Sequence, residues 1–247
     1  MLMMDQLLLA GAGLIAGLVN ALAGGGTFFS FPVFMAFGLP PVVANATNAA
    51  AVWPAHPLAA WSERAQLRGV PHLPLLIGLT VVGALIGAGL LNTVGNQGFK
   101  QLVPYLLIIA TALFAFGPNV RRWMSQDSPF RVSLFGGALM LLIAAYGGFF
   151  SAGMGVMLMA GLLLLGLHQM QTNNAVKNLL GALVNTVAVV LWTWQGLIDW
   201  SMVPVAFAGA VVGGLLGARL SRWLPVHWLR RVVIAVGCGL SGFYLWV

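Results

Sequence analysis

Carboxylates are nearly missing from this chain. Its 247 residues include four Asp and Glu against eleven Lys and Arg, and charged residues make up only 6% of the total. A soluble domain carries about 25% charged residues, so an ordinary water-facing surface is excluded. The four acids, Asp5, Glu63, Asp127 and Asp199, all map to loops or to the ends of apolar runs. A carboxylate pair at core depth is therefore not on offer. Neither a His-Glu-x-x-His pair nor a nucleophile elbow is present. An enzyme is not expected, and no cofactor or metal site is called for. The single cysteine, Cys238, lies inside the last apolar run, which excludes an intrachain disulfide and leaves the redox compartment open. Asp5 precedes the first apolar run and no Lys or Arg does, so the positive leader region of a cleavable signal peptide is missing. The net charge of +7 is explained by basic residues at loop ends, and a nucleic-acid partner is not expected.

What the chain has is apolar length, broken by glycine. Hydrophobic residues make up 60%, mean hydropathy is +0.97, and there are 32 glycines. This composition predicts an all-α integral membrane protein with 8–10 transmembrane segments. The apolar runs give ten, at roughly 5–23, 27–37, 40–61, 71–92, 98–117, 130–150, 153–167, 171–194, 199–220 and 226–246. Segments 27–37 and 153–167 are short, reaching only ~17–22 Å as helices against a hydrocarbon core of ~30 Å. They either cross partly unwound or turn back inside the membrane, where only protein or a wet cavity can satisfy irregular backbone. Charge favours crossing. With ten crossings, Arg64, Arg68, Arg121, Arg122, Arg131, Arg219, Arg222, Arg230 and Arg231 fall on one side, and only Lys100 lies near the other. Both termini are then outside, in a multi-pass protein of the bacterial inner membrane.

The breaks recur. Gly17 to Thr27, with Asn20 and the run Gly24-Gly25-Gly26, is followed by Gly38-Leu39-Pro40 and then Ala44-Asn45-Ala46-Thr47-Asn48. Tyr146 to Gly155, with Ser151, Gly153 and Gly155, is followed by Leu165-Gly166-Leu167 and then Asn174-Ala175-Val176-Lys177-Asn178. The offsets are 128–130 residues, and Gly83/Gly87 match Gly213/Gly217 at the same spacing. The expected organisation is a first repeat over 1–117, a cytoplasmic linker over 118–129 and a second repeat over 130–247. An odd number of crossings in each repeat makes the two inverted, with a shared site near the midplane, the pattern of secondary transporters.

The stretch from Gly17 to Asn48, with Asn20-Ala21-Leu22-Ala23-Gly24-Gly25-Gly26, Pro32, Gly38-Leu39-Pro40 and Thr47-Asn48, resembles the TauE/SafE family of sulfite exporters, once called DUF81. The weaker second copy, from Gly153 to Asn178, lies where that family has one, and the resemblance covers nearly the whole chain. It implies export of sulfite or of an organosulfonate such as sulfoacetate. Lys177 stands where many members carry a small hydroxyl residue. Uptake of another sulfur-containing or small organic anion, or a non-transporting membrane subunit, are the alternatives.

The residues give the chemistry. A lysine deep in a span is costly and normally faces a cavity or a partner. Lys177 is expected to attract an anion, with Asn173, Asn174 and Asn178 as amide donors and Thr47 as its counterpart in the first repeat; snorkelling to the interface is the plainer alternative. The knots at Gly24, Gly25 and Gly26 and at Ser151, Gly153 and Gly155 precede new helices, whose leading N–H groups suit an oxyanion. Asn20 and Asn48 complete the expected substrate site. Gly83, Gly87, Gly213 and Gly217 are assigned to close helix packing, and most tryptophans to the aromatic belts. Trp53 and Trp192 sit deeper. His56, between Pro54 and Pro57, is a candidate proton carrier. Coupling otherwise lacks a buried acid unless Glu63 reaches inward. Efflux of an anion down the membrane potential needs no coupling ion, since the potential supplies ~2.3 kcal/mol per charge per 100 mV. The expected partners are a small anionic substrate and the lipid bilayer. Both repeats lie in one chain, so a monomer suffices and a homodimer is optional.

Overall fold

A computed structural model describes residues 3–22, 25–123, 130–220 and 226–246. The regular elements among them are all helical: α1 (Met3–Leu22), α2 (Thr27–Ala36), α3 (Pro41–Val52), α4 (Ala55–Ser62), a 3-10 turn (Arg64–Leu67), α5 (Leu73–Trp123), α6 (Leu134–Phe149), α7 (Met154–Leu164), α8 (Met170–Trp194), α9 (Val203–Leu220) and α10 (Val226–Trp246). Three helical stretches are long and apolar enough to cross a membrane: Met3–Asn20, Leu73–Phe116 and Met170–Trp194. Shorter apolar helices lie in the expected segments 27–37, 130–150, 153–167, 199–220 and 226–246, and 40–61 holds α3 and α4.

Local chemistry sets the boundaries. Ser133 caps α6 by accepting from Gly136 N at 3.1 Å, the usual service of a serine at a helix start. Gly38 and Gly166, in matching positions after α2 and α7, stop those helices in the left-handed conformation at φ 81° and 94°. Two expected boundaries differ. The run 40–61 is split between α3 and α4 at Trp53-Pro54, because proline supplies no N–H to continue the ladder. The expected loop between 92 and 98 is a single kink instead. α5 is one stretch of helix broken at Gly95 (φ 68°, ψ 177°) into arms 73–94 and 96–123, and it covers 118–123 of the expected linker. The rest of that linker, 124–129, lies outside the described residues.

The packing follows small residues. On α1, Gly13 and Gly17 lie against the backbone of Ala206 and Ala210 on α9; Gly209 and Gly213 of α9 lie against Ala10 and Leu14 in return. Numbers rise together along this pair, so α1 and α9 run parallel. The first arm of α5 packs on α6 in the same manner, with Gly83 and Gly87 against Leu141 and Ala145, and Gly148 against Ala84. A Cβ at most of these glycines would collide with a neighbouring carbonyl, so the helices approach to backbone contact.

Two other pairs run in opposite directions. Trp53 bonds Thr186 while Glu63 bonds Asn174 and Asn178, so numbers fall along α8 as they rise through α4. Gly237 of α10 abuts Thr111, and Val233 meets Phe114 beside Gly25, so α10 is antiparallel to the second arm of α5. An aromatic core joins the halves. Phe31 of α2 makes edge contacts with Phe99 and Phe150 at centroid distances of 6.5 and 5.8 Å.

Candidate functional site

The chain turns back after α1 so that Gly26 lies against Ala16, leaving no space for a side chain. Asn20 holds this return in place, its Oδ1 accepting from Gly26 N at 2.8 Å. Gly25 faces Phe114 and Val233. On the other side, Gly153 is left-handed (φ 76°) and a Cβ there would lie 2.8 Å from that of Ala110. Ala110 and Phe114 are one turn apart on α5. The two glycine breaks therefore rest on the same helical arm, and they meet: Thr27 Oγ1 and Ser151 Oγ are 3.5 Å apart. At that separation, the outer limit of hydrogen bonding, both hydroxyls keep capacity for a third group. Tyr146 braces the second break by donating its hydroxyl to Ala152 O at 2.9 Å and to Leu106 O at 3.3 Å.

Not every helix-start donor is open. Gly26 N is taken by Asn20, Phe28 N donates to Gly25 O, and Met154 N donates to Ser151 O. The hydroxyls of Thr27 and Ser151 are the groups the two breaks bring together. Gly155 sits in the first turn of α7, and Gly24 lies outside the described residues.

α3 carries its polar residues on two sides. Thr47 Oγ1 accepts from Asp199 N at 2.9 Å, which pins the turn before α9. Asn45 Nδ2 donates to Phe149 O at 3.1 Å, just ahead of Ser151. One turn on, Asn48 is completely buried, and neither its Nδ2 nor its Oδ1 has a partner among the described residues. A buried amide left unpaired costs about 1–3 kcal/mol.

Asn174, Lys177 and Asn178 form a second group, one to three turns into α8. Asn174 Nδ2 donates to Glu63 Oε1 and Asn178 Nδ2 to Glu63 Oε2, each at 2.6 Å. Lys177 Nζ donates to Asn174 Oδ1 at 2.7 Å. Asn174 and Asn178, expected to be open, thus hold a carboxylate from the end of α4. A turn farther along α8, Gly181 leaves room for His56, whose Nδ1 lies 3.5 Å from where a Cβ would be, and for Met154, the first residue of α7. Gly181 is the point where the α8 group approaches the glycine breaks. The deep tryptophans have structural partners: Trp53 Nε1 donates to Thr186 Oγ1 and Trp192 Nε1 to Ala88 O.

Three residues here lie outside the expected substrate site: Thr27, Asn45 and Glu63, the last expected at a span end unless it reaches inward. For Thr27 a signal existed, since it ends the first glycine run as Ser151 opens the second. For Glu63 the only signal was rarity.

The family model described as Sulfite exporter TauE/SafE matches residues 9–245. A relative in Haemophilus influenzae, named Probable membrane transporter protein, is 27% identical over 226 residues, covering 90% of this chain and 87% of its own. The Probable membrane transporter protein ORF9 of a Sinorhizobium species is 25% identical over 232 residues, covering 93% and 88%. The Probable membrane transporter protein YfcA of Escherichia coli K12 is 26% identical over 238 residues, covering 94% and 87%. No solved structure matches the chain.

Proposed function

The chain belongs to the sulfite exporter TauE/SafE family of membrane transporters, and on that premise we propose that it exports a small sulfur oxyanion, sulfite or an organosulfonate such as sulfoacetate, across the bacterial inner membrane. The observation that carries this reading is the meeting of Thr27 and Ser151. Two helix breaks from distant parts of the chain converge on one place and present hydroxyls there. Gly25 and Gly153 keep the backbone close, and Asn20 fixes the first break. Asn48 supplies a buried amide with no partner among the described residues. Hydroxyl and amide groups can donate to an anion, and with no carboxylate among them they bring no negative charge to repel it.

We further propose that the two halves, 1–117 and 130–247, are inverted repeats. Support comes from direction. Element for element, α3 with α4 corresponds to α8, and the second arm of α5 corresponds to α10. α4 runs antiparallel to α8, and the second arm of α5 antiparallel to α10. The α1–α9 contact also has its counterpart in the contact of α6 with the first arm of α5. An inverted pair sharing a central site is the arrangement from which alternating access follows, one half rocking against the other.

The test is a thermal-shift panel on the purified protein with sulfite, sulfoacetate, taurine, thiosulfate, sulfate and acetate. A saturable rise in Tm with sulfite or a sulfonate, lost in the double variant Thr27→Val/Ser151→Ala, supports the reading. A panel without any anion-specific rise overturns it.

A further inference from the structure

The α8 donors are not waiting for an anion; they already hold one. Asn174 and Asn178 lie four residues apart on one face of α8, and their amides grip the two oxygens of Glu63 separately, at 2.6 Å each. Short bonds from two donors to the two oxygens of one carboxylate are the geometry used to hold a free oxyanion by its edge. Lys177 donates to Asn174 Oδ1 at 2.7 Å and places a positive charge behind that cradle. The carboxylate comes from a different part of the chain, at the C-terminal end of α4. That end lies beyond the Trp53-Pro54 break and before a short 3-10 turn.

We propose that Glu63 is an internal stand-in for the transported anion: its carboxylate occupies an oxyanion cradle made by Asn174, Lys177 and Asn178, and an arriving small anion displaces it. This rests on the transporter reading for the anion's identity, but the cradle itself does not. Charge balance gives the physical reason for displacement. A lysine inside a span is costly without a negative charge nearby. Either Glu63 or the anion satisfies Lys177. The cradle is therefore not left empty, and the end of α4 is tied to α8 only while no anion is present. The ligand class is a small anion with two exposed oxygens on one atom, as in sulfite, a sulfonate or a carboxylate. By the same bonds Glu63 acts as a latch between the first half of the chain and the second, opened by the anion.

The experiment uses purified full-length protein and three variants: Glu63→Ala, Glu63→Ala/Lys177→Ala, and Glu63→Gln. Formate serves as the smallest probe of the carboxylate edge, with chloride at equal ionic strength as the control. Glu63→Ala is expected to lose thermal stability and to regain it with formate in a saturable way. The double variant is expected to show no recovery. For Glu63→Gln, which keeps the side-chain shape, sulfite is expected to bind about tenfold more tightly than to the wild type, as an internal competitor has been weakened. Equal recovery in the double variant, no recovery in Glu63→Ala, or unchanged or weaker sulfite binding in Glu63→Gln overturns the proposal. Formate recovery with no anion flux through the wild-type protein overturns the transporter reading and leaves the cradle standing. Flux without recovery does the reverse.

Discussion

Asn48 and Glu63 represent two ways a polar side chain can live among helices in a membrane. Glu63 finds its partners within the chain; Asn48 finds none among the described residues. The difference gives opposite expectations for substitution. Replacing Asn48 by leucine, close to it in volume, removes an unpaired buried amide and breaks no intramolecular hydrogen bond. Thermal unfolding in detergent should show Asn48→Leu at least as stable as the wild type, with a gain of up to about 1–3 kcal/mol. Its anion flux should fall by at least an order of magnitude. A clear loss of stability would mean that Asn48 has a structural partner, and the site would have to be redrawn without it. Residue identities were legible in the sequence where they repeat: Asn20, the glycines, Thr47, Asn48, Ser151 and the α8 triad all stand out by recurrence. Their partners were not. Glu63 meets α8 across 111 and 115 residues of chain, and Thr47 meets Asp199 across 152. No local pattern carries such pairings, so a lone acid at a span end looked like an interfacial residue.

At the scale of elements, breaks decide the architecture. Glycine marks the ends of α2 and α7 in the sequence, because left-handed φ at Gly38 and Gly166 is a local effect; the break at Pro54, equally local, divides a run expected to be continuous over 40–61. The stretch from Asn92 to Gly98 looked like a loop, with its asparagines, glutamine and glycines, and proved to be helix on both sides of one residue. Tertiary contacts account for this. Thr93 donates its hydroxyl to Leu90 O within the helix, and Asn96 Oδ1 accepts from Val42 N, closing the start of α3. The polar residues were helix ends serving a neighbour. Gly95 alone carries the bend, in a backbone region that is essentially glycine-only. Gly95→Ala should cost about 1–3 kcal/mol, although no atom lies within 4 Å of the added methyl. Gly89→Ala, on the same helix and with equally open surroundings, should be neutral or stabilising by up to about 1 kcal/mol. Equal Tm values for the two variants would show that the kink stores no conformational constraint.

The whole molecule is organised by direction. Ten apolar segments, a one-sided arginine distribution and repeated motifs were enough to propose inverted halves from sequence, and the antiparallel course of matched elements supports that proposal independently. It has a direct topological consequence. In a Cys238→Ser background, a cysteine at exposed Gln66 should react with an impermeant thiol reagent only from the cytoplasmic face, and one at exposed Ser201 only from the opposite face. Labelling of both from one face would make the halves parallel and remove the pseudo-symmetric site. The sequence did not reveal that the polar groups divide into two sets, one where the glycine breaks meet and one on α8, linked at Gly181. That division depends on how α7 and α8 cross, which composition does not encode. On the proposed function, an anion meets the Glu63 cradle at one point of its path and the Thr27–Ser151 hydroxyls at another. The measurement that tests this most directly is counterflow of 35S-labelled sulfite in proteoliposomes preloaded with unlabelled sulfite, comparing the wild type with Thr27→Val/Ser151→Ala. The predicted result is transient accumulation of label in wild-type vesicles and its loss in the double variant. Label uptake no greater than in protein-free vesicles, or counterflow unchanged by the double substitution, would contradict a sulfite pathway through the meeting point of the two breaks.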